Sequence, residues 1–564
     1  MKFYRRFVAI VTRATLVFSA ALPITVSVAG GADPDQMGQP TAGKYTNRLI
    51  VKMKTPAKGV VMSASEGVQI AATMSAVAGR ALSYSHETGV GAAILTTDTR
   101  MTLAEASRVA QRLLSQADVL YAEPDIRMFP ALVPNDTLYA TNQWALKAVA
   151  VGNYGINAPA AWDITTGSAS VIVAVLDTGI TAHSDLAGRT VPGYDFVSKI
   201  EIANDGDGRD GDPSDPGDWV TVAEDTTVGG FFAGCGASNS SWHGTHVSGT
   251  IGAVSNNNLG IAGVNWVSKI QPIRVLGKCG GFVSDIADAM IWASGGAVAG
   301  VANNPTPANV ISMSLGGTAP CGATYQNAIN GAISRGVLIV VAAGNEFGGT
   351  MGSTPANCRG VIAVSATDVN GARPTFSNYG PPATISAPGR TIISTLNTGT
   401  TSPVAAPAGS NYVNYSGTSM ATPHVAGVAS LMLSARPTLL PHHVAAMIRG
   451  TATAYPTAAP AEINCQIQRC GDGILNAAAA VAAAQACATP PSFGTPASIS
   501  ETCNGDLDGN GVVSPLTDGL LAIRMAMGLT GAALTGGALG ACATRTTYAA
   551  IRAYMNRNCG TQYP

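Results

Sequence analysis

Hydrophobic residues in the middle of the chain form short, nearly continuous runs that alternate with longer helical patterns. The apolar, β-branched runs predict buried strands over residues 171–176, 191–197, 270–275, 309–315, 337–343 and 361–366. Helical spacing follows or separates them over residues 243–253, 283–294, 323–335, 419–435 and 441–449. This alternation predicts an α/β fold with a mostly parallel sheet between two helical layers, and a functional site at the carboxyl ends of the strands.

The segment before this region has a mixed pattern. Residues 48–53 alternate like a strand, residues 102–117 carry leucines at helical spacing, and residues 119–125 have the pattern of a strand ended by a turn. We expect a separate small α+β unit over residues 30–133.

The pattern changes again after residue 488, where threonine and proline predict a linker over residues 489–502. Beyond the linker, an EF-hand-like loop has oxygen ligands at positions 1, 3 and 5 and glycine at position 6, supplied by Asp506, Asp508, Asn510 and Gly511. Asp518 falls at position 13 of this loop instead of 12. Residues 503–564 are therefore expected to form a small α-helical tail with a calcium loop.

Composition and charge narrow the class of protein. A net charge of −1 with 12% charged residues gives no basic surface for nucleic acid or for a membrane. Residues 1–29 have basic residues, an apolar stretch and a small-residue cleavage site, as in a signal peptide. The ten cysteines are an even number, which suits disulfides in an oxidising compartment. We expect a secreted, extracellular protein with no nucleic-acid partner and, after signal cleavage, no membrane contact.

Ser419 lies at the start of a helix that is apolar on every face and therefore buried. The first turn of a helix offers free N–H groups and a positive dipole end to a developing negative charge. Residues 411–417 before it look like a loop, and Pro423 is expected within the first turn. An isolated serine here is an ordinary N-cap, whereas a nucleophile also needs a base and an acid that orients the base.

Three side chains elsewhere supply what a nucleophilic serine needs. Asp177 ends the first buried run, His243 begins a helix of small residues, and Asn345 follows another buried run, where its amide can donate to an oxyanion. A zinc pair of His243 and His246 is disfavoured, because they are three residues apart without the glutamate of the zinc-protease pattern. His246 and His424 are interpreted as packing histidines.

The motifs resemble those of the subtilisin-like serine proteases, the subtilases. The matching segments occur in the subtilisin order and are Asp177-Thr178-Gly179, His243-Gly244-Thr245-His246, Ala343-Gly344-Asn345 and Gly417-Thr418-Ser419-Met420-Ala421-Thr422-Pro423-His424. The resemblance implies a serine endopeptidase with Ser419 as nucleophile, His243 as general base and acid, Asp177 as orienting carboxylate and Asn345 as oxyanion donor. It also implies an edge strand and pocket for the peptide substrate, formed by Ser314, Leu315, Gly316, Ala343 and Gly344.

Further expectations come from the same resemblance. Residues 30–133 would be an inhibitory propeptide whose end, residues 129–133, lies in the substrate cleft, and residues 134–488 would be the peptidase domain of a monomer. Cysteine order and the resemblance to secreted bacterial subtilases imply the pairs Cys235–Cys279, Cys321–Cys358 and Cys465–Cys470. The tail resembles a dockerin with one calcium loop in place of two.

Calcium is the expected cofactor, in a structural role. The dense acidic segment between Asp177 and His243 is either a calcium site or a solvated loop, with candidate ligands Asp205, Asp207, Asp210, Asp212 and Asp215. Asp136 and Asp185 loosely resemble the calcium site near the mature amino terminus of the family.

Two alternatives compete with the endopeptidase. One is a secreted binding protein that keeps the fold without catalysis, yet such a protein has no reason to keep all four catalytic residues. The other is a sedolisin-type exopeptidase, which uses a glutamate as the base where this chain has His243.

Overall fold

The computed structural model describes residues 45–54, 62–127, 132–457, 463–491, 495–499, 503–559 and 561–563. The predicted signal peptide, most of the predicted cleft-binding end at residues 129–133 and parts of the predicted linker lie outside these residues. Below, the body means residues 134–488 and the tail means residues 503–564.

The amino-terminal unit is an antiparallel sheet of four strands in the order β2-β3-β1-β4 with two helices. Ser63 and Thr102 begin the helices, each with a capping box that pairs its side chain with a glutamate three residues on. The strands are β1 (Tyr45–Met53), β2 (Ser83–Glu87), β3 (Ala93–Thr102) and β4 (Val119–Pro124), and the helices are α1 (Ala64–Ala78) and α2 (Leu103–Leu114). The unit is α+β, as predicted.

Seven parallel strands form the central sheet of the body, in the order β13-β12-β10-β8-β5-β7-β6. They are β5 (Ile172–Asp177), β6 (Tyr194–Asp195), β7 (Lys269–Arg274), β8 (Val310–Met313), β10 (Leu338–Ala342), β12 (Ile362–Thr367) and β13 (Ala383–Pro388). Because neighbouring side chains of a strand face opposite sides, Val173 and Val175 join one core and Ala174 and Leu176 the other. The sheet is therefore buried on both faces, as its continuous apolar runs predicted.

Helices cover both faces of this sheet. The first layer consists of α4 (Ala158–Trp162), α7 (His243–Gly252), α10 (Thr418–Ala435), α11 (Pro441–Gly450) and α13 (Ala477–Ala486). The opposite layer consists of α8 (Val283–Ala293) and α9 (Ala323–Ser334). Short helices complete the body as α3 (Tyr139–Asn142), α5 (Ile200–Ala203), α6 (Val222–Thr226) and α12 (Cys465–Gln468). The predicted three-layer α/β architecture is confirmed.

Two small antiparallel sheets of two strands each flank the central sheet, and the longer of them is a hairpin. The longer pairs β14 (Ile392–Asn397) with β15 (Ser410–Tyr415), and the shorter pairs β9 (Gly317–Thr318) with β11 (Ser353–Thr354). The prediction of a loop at residues 411–417 was therefore wrong over most of its length. Hydrogen bonds from the partner strand β14, which ends at Asn397, order this polar segment.

The tail is a small helical unit attached to the body. It contains α14 (Leu520–Ala526), α15 (Gly531–Thr535), α16 (Tyr548–Asn558) and the short strand β17 (Val512–Val513). This strand pairs with β16 (Thr495–Pro496), which lies in the predicted linker. All three predicted disulfides are present, and Cys487–Cys542 and Cys503–Cys559 complete the ten cysteines. Cys487–Cys542 ties the tail covalently to the end of α13.

Among the described residues, no helix has the length and apolar character needed to cross a bilayer.

Candidate active site

Asp177 and His243 meet at the carboxyl end of β5. Nδ1 of His243 donates to Oδ1 of Asp177 over 2.8 Å, and the backbone N–H of Thr178 donates to the same oxygen at 2.8 Å. Asp177 is fully buried, whereas the His243 side chain is 22% exposed at the cleft. A buried carboxylate in this position fixes one tautomer of the imidazole and leaves Nε2 available as a base.

The approach of α7 to the end of β5 depends on a glycine. A Cβ on Gly244 would lie 2.2 Å from the carbonyl oxygen of Gly179 and 3.2 Å from Cβ of Asp177. The N–H of Gly244 instead donates to Oγ1 of Thr178, at 3.1 Å. Thr178 in turn donates to Oδ2 of the buried Asp215, at 2.6 Å. The glycine of this motif therefore brings His243 within hydrogen-bonding distance of Asp177.

The charge around His243 favours its protonated form. Burial disfavours the imidazolium, but the charge and hydrogen bond of Asp177, with further contributions from Asp218 and Asp215, raise the pKa of His243 above its usual value. Asp218 lines the cleft and accepts from both the N–H and the hydroxyl of Ser241, at 2.6 and 2.7 Å. The hydroxyl of Ser241 also accepts from the backbone N–H of His243 at 3.3 Å. No pattern in the sequence indicated that Asp218 belongs to this site.

Ser419 is the second residue of α10 and lines the cleft with His243. Its hydroxyl donates to the carbonyl oxygen of Ser314 at 3.2 Å. The hydroxyl of Ser314 donates back to the carbonyl of Ser419 at 2.8 Å. Pro423 lies four residues after Ser419, inside the helix and beyond the first turn where we expected it. Because proline has no N–H to bond the carbonyl of Ser419, the hydroxyl of Ser314 satisfies that acceptor.

The side chain of Asn345 is oriented by Thr418. Its Oδ1 accepts from the N–H of Thr418 at 2.8 Å and from the hydroxyl of Thr418 at 3.1 Å. The amide nitrogen is therefore left to donate elsewhere, beside Ser419 at the mouth of the cleft. The Ser419 N–H is at a helix start, where an N–H has no partner within the helix. These two donors are suitably placed to receive a developing negative charge.

The cleft has a volume of about 560 Å³ and runs between two backbone edges. Predicted substrate-binding residues Ser314, Leu315, Gly316 and Gly344 line it. Ala343 is fully buried and its N–H donates to the carbonyl of Val364, so the strand residue that lines the cleft is Ala342. Most residues of the facing edge, residues 276–283, and the two residues of β11 also line the cleft and were not predicted to do so. Lys278 and Phe282 of this edge are not among the lining residues.

The acidic segment after Asp177 does not form one ligand cluster. Asp205 pairs with Arg274 at 2.5 Å, and Asp215 is buried against Thr178. Asp210 and Asp212 each accept from a backbone N–H two residues on, at 2.9 and 3.0 Å, and Asp207 is exposed. Because the carboxylates bond different partners, this geometry does not support a single calcium site formed by all five.

Asp136 and Asp185 are both buried and both bond the turn at residues 256–257. Oδ2 of Asp136 accepts from the N–H of Asn256 at 2.8 Å, while its buried Oδ1 has no hydrogen-bond partner in the described part of the chain. Asp185 accepts from Nδ2 of Asn257 at 2.7 Å and from the N–H of Ile261 at 3.0 Å. Burial, opposed in part by these hydrogen bonds, raises the pKa of Asp185 to about 6, and the charge of Asp136 adds to the effect. This pair and its unpaired oxygen fit a hard cation.

The tail holds the tightest group of acidic side chains in the described residues. Ligand atoms of Asp506, Asp508 and Asp518 lie within 4.8 Å of one another, and all three residues are buried. Asp518 reaches the group despite its position 13 because residues Pro515–Gly519 form a turn of π-helix, which accommodates one additional residue. Burial and the charge of Asp518 raise the pKa of Asp508 to about 7.

His246 and His424 lie beside the site without facing the cleft. His246 stacks on Tyr415 with ring centroids 4.6 Å apart, and Nδ1 of His424 bonds the carbonyl of Met420 at 2.8 Å. Burial lowers the pKa of His246 to about 3 and that of His424 to about 4. Both are therefore neutral at pH 7 and serve packing, in agreement with their interpretation from the sequence.

Comparisons with known proteins agree with this arrangement. Residues 168–473 match the subtilase family. An extracellular protease of Xanthomonas campestris pv. campestris is 48% identical over 412 residues, which cover 72% of this chain and 67% of that protein. An extracellular basic protease of Dichelobacter nodosus is 40% identical over 479 residues, which cover 83% of this chain and 76% of that protein.

A solved structure of a protease from Pseudoalteromonas arctica has 45% sequence identity and a TM-score of 0.57, and the match covers 63% of this chain and all of that one. The family match ends at residue 473, so the resemblance of the tail to dockerins gains no support from it. The chain belongs to the subtilase family and is a secreted serine endopeptidase.

Proposed function

We propose that Asp177, His243 and Ser419 are the catalytic triad with which this endopeptidase cleaves peptide bonds. The observation that carries the proposal is the 2.8 Å hydrogen bond from His243 to the buried Asp177 in a cleft that Ser419 also lines. Ser419 Oγ attacks the scissile carbonyl as Nε2 of His243 takes its proton, and His243 passes that proton to the leaving amine. Water then releases the acyl group from Ser419 in a second step of the same kind.

The hydroxyl of Ser419 must first turn away from Ser314. In the free enzyme it donates to the carbonyl of Ser314 at 3.2 Å. A substrate N–H that donates to that carbonyl would displace the hydroxyl, which is then free to donate to Nε2 of His243. Substrate binding at the edge Ser314–Gly316 and activation of the nucleophile are coupled in this way.

The tetrahedral intermediate would be stabilised by Nδ2 of Asn345 and the N–H of Ser419. The amide of Asn345 is held by two bonds to Thr418, so its donor requires little reorganisation in the transition state. In subtilisin, loss of the corresponding amide costs about 2.7–4 kcal/mol of transition-state stabilisation, a magnitude borrowed from that enzyme.

Labelling with an organophosphonate tests the nucleophile. Wild-type enzyme should lose casein hydrolysis as one phosphonyl group is added to the peptide that contains Ser419. Ser419→Ala should neither hydrolyse casein nor take up the label, whereas Ser416→Ala, an exposed serine three residues earlier, should do both. Label on another residue in active enzyme would refute the proposal.

Calcium is proposed as a structural cofactor at two places. Asp136 and Asp185 would hold one ion near the start of the body, where an unpaired buried carboxylate oxygen supports it. Asp506, Asp508, Asn510 and Asp518 would hold a second ion in the tail, where like charges lie within 4.8 Å in a buried loop. A bound ion offsets the repulsion between these carboxylates and takes no part in the reaction.

The amino-terminal residues 30–133 are proposed as a propeptide that binds its own peptidase domain as an inhibitor and is then removed. The support is a separate core, formed by α1, α2 and the four-stranded sheet, ahead of a complete catalytic body. Residues 134–488 would then act as a monomer on protein or peptide substrates.

A further inference from the structure

One edge of the cleft packs against the segment of the chain that follows β6. Between Asp177 and His243 the chain makes a long excursion, here called the insertion (residues 199–241), with a small apolar core around Ile202, Val220 and Phe232. The disulfide Cys235–Cys279 joins it to the cleft edge at residues 276–283.

Lys278 belongs to this edge, yet its side chain is buried in the insertion. The residue is only 5% exposed and its ammonium group forms an ion pair with Glu224. The Nζ atom also lies 5.1 Å from the ring centroids of both Trp219 and Phe232. A buried ammonium is tolerated only with such partners, so this contact specifies one position for the lysine.

Glu224 is itself held in place. Its Oε2 accepts from the N–H and the hydroxyl of Thr221, both at 2.8 Å, in the capping box of α6. Lys278 and Thr221 together lower the pKa of Glu224 to about 2, so the Glu224 carboxylate is ionised at neutral pH. The lysine is therefore anchored to a fixed charge.

The backbone beside Lys278 forms the rim of the cleft. Gly277 and Gly280 exchange two hydrogen bonds of 3.0 and 3.1 Å, and the N–H of Lys278 donates to the carbonyl of Ile202 at 3.0 Å. A Cβ on Gly277 would lie 2.1 Å from that same carbonyl oxygen, so the backbone of the rim packs directly against the insertion. Cys279 and Gly281 are exposed and line the cleft opposite Ser314–Gly316.

We propose that Lys278 is a positioning residue that holds the cleft edge 277–281 in place, so that an extended substrate can bind along it. This inference rests on the proposed triad and deepens it. Through this lysine the insertion acts on substrate affinity by way of the rim, and Lys278 itself does not touch the reacting atoms. The affinity for substrates that are too short to reach the rim does not depend on Lys278.

Lys278→Met tests this with two substrates. For a peptide anilide with four residues before the scissile bond, KM should rise about tenfold with kcat nearly unchanged, since the loss of about one well-placed backbone hydrogen bond is of that order. For a single-residue ester, both constants should match wild type. Glu224→Gln removes the fixed charge and should raise KM for the long substrate alone by a smaller factor.

Lys199→Met is the matched control. Lys199 also pairs with a glutamate, Glu201 at 3.0 Å, and lies 5.6 Å from the ring centroid of Phe231, but its side chain is 44% exposed. Lys199→Met should leave kcat and KM unchanged for both substrates.

Titration with an organophosphonate separates the two claims. If the wild-type enzyme takes up no label, the proposed triad is refuted. Fully titrated Lys278→Met or Glu224→Gln enzyme with an unchanged KM for the long substrate, or an equal loss on both substrates, refutes the positioning role. If Lys278→Met does not fold, Glu224→Gln decides.

Discussion

At the scale of single residues, His243 is surrounded by negative charge. Asp177 bonds its Nδ1, and Asp218 and Asp215 lie near enough to raise its pKa further. The base must be neutral to accept the proton of Ser419, so activity is lost as the pH falls through this raised pKa. Of the three carboxylates, Asp177 was predicted from its strand, whereas Asp215 was taken for a calcium ligand and Asp218 was missed. An acidic loop offers no periodicity that would show which carboxylate folds back on the site.

Asp218→Asn should therefore move the acid limb of activity to lower pH. Removal of its charge leaves less stabilisation of the imidazolium, so His243 is deprotonated at a lower pH and the enzyme retains activity there. The measurement is kcat/KM against pH. Asp207→Asn, an exposed residue of the same segment, should leave the profile in place. An acid limb that moves upward in Asp218→Asn would contradict this electrostatic account.

At the scale of elements, the sheet and its helices were largely predictable because buried parallel strands are continuous apolar runs. The hairpin β14–β15 was not, because its second strand is polar and is ordered by its partner. The start of α10 was placed within one residue, but Pro423 was assigned to the first turn. Proline is accommodated inside the helix because the hydroxyl of Ser314 bonds the carbonyl of Ser419, and Ser314 lies 105 residues away in sequence, so no local pattern indicated this contact.

The bond from Ser314 to the carbonyl of Ser419 predicts a coupling with Pro423. Ser314→Ala should lower the free energy of unfolding by about 1 kcal/mol, because a half-buried carbonyl loses its donor. In a Pro423→Ala background the helix regains an N–H for that carbonyl, and the same substitution should cost clearly less. Denaturant unfolding of the four proteins in this double-mutant cycle measures the coupling. Equal costs in both backgrounds would exclude it.

At the scale of the whole molecule, the tail and the body form one connected structure. Besides Cys487–Cys542, the buried Arg449 of α11 pairs with Asp472 at 2.6 Å, and Nδ2 of Asn558 in α16 donates to the other oxygen of Asp472 at 3.0 Å. The sequence predicted three units, with a linker between the body and the tail. The two disulfides of the tail join cysteines 55 and 56 residues apart, and no pattern in the sequence indicated these pairs.

Removal of calcium should lower the thermal stability of the molecule. An ion at 100 times its dissociation constant contributes about 2.7 kcal/mol, which corresponds to a fall in Tm of roughly 5 °C for a domain of this size. The inactive Ser419→Ala protein avoids autolysis during the scan with a chelator. A further Asp136→Asn substitution should reduce the effect of the chelator, whereas Asp207→Asn should not. A Tm that does not respond to the chelator would argue against a structural calcium ion.

The central claim is that Ser419 both digests protein and matures the chain. Mass spectrometry of secreted wild type beside Ser419→Ala, with casein hydrolysis followed in parallel, tests it directly. We predict that wild type lacks residues up to about 133 and digests casein, whereas Ser419→Ala keeps the amino-terminal unit and is inactive. Identical processing of both would show that another protease matures the chain. Casein digestion by Ser419→Ala at the rate of wild type would contradict the account.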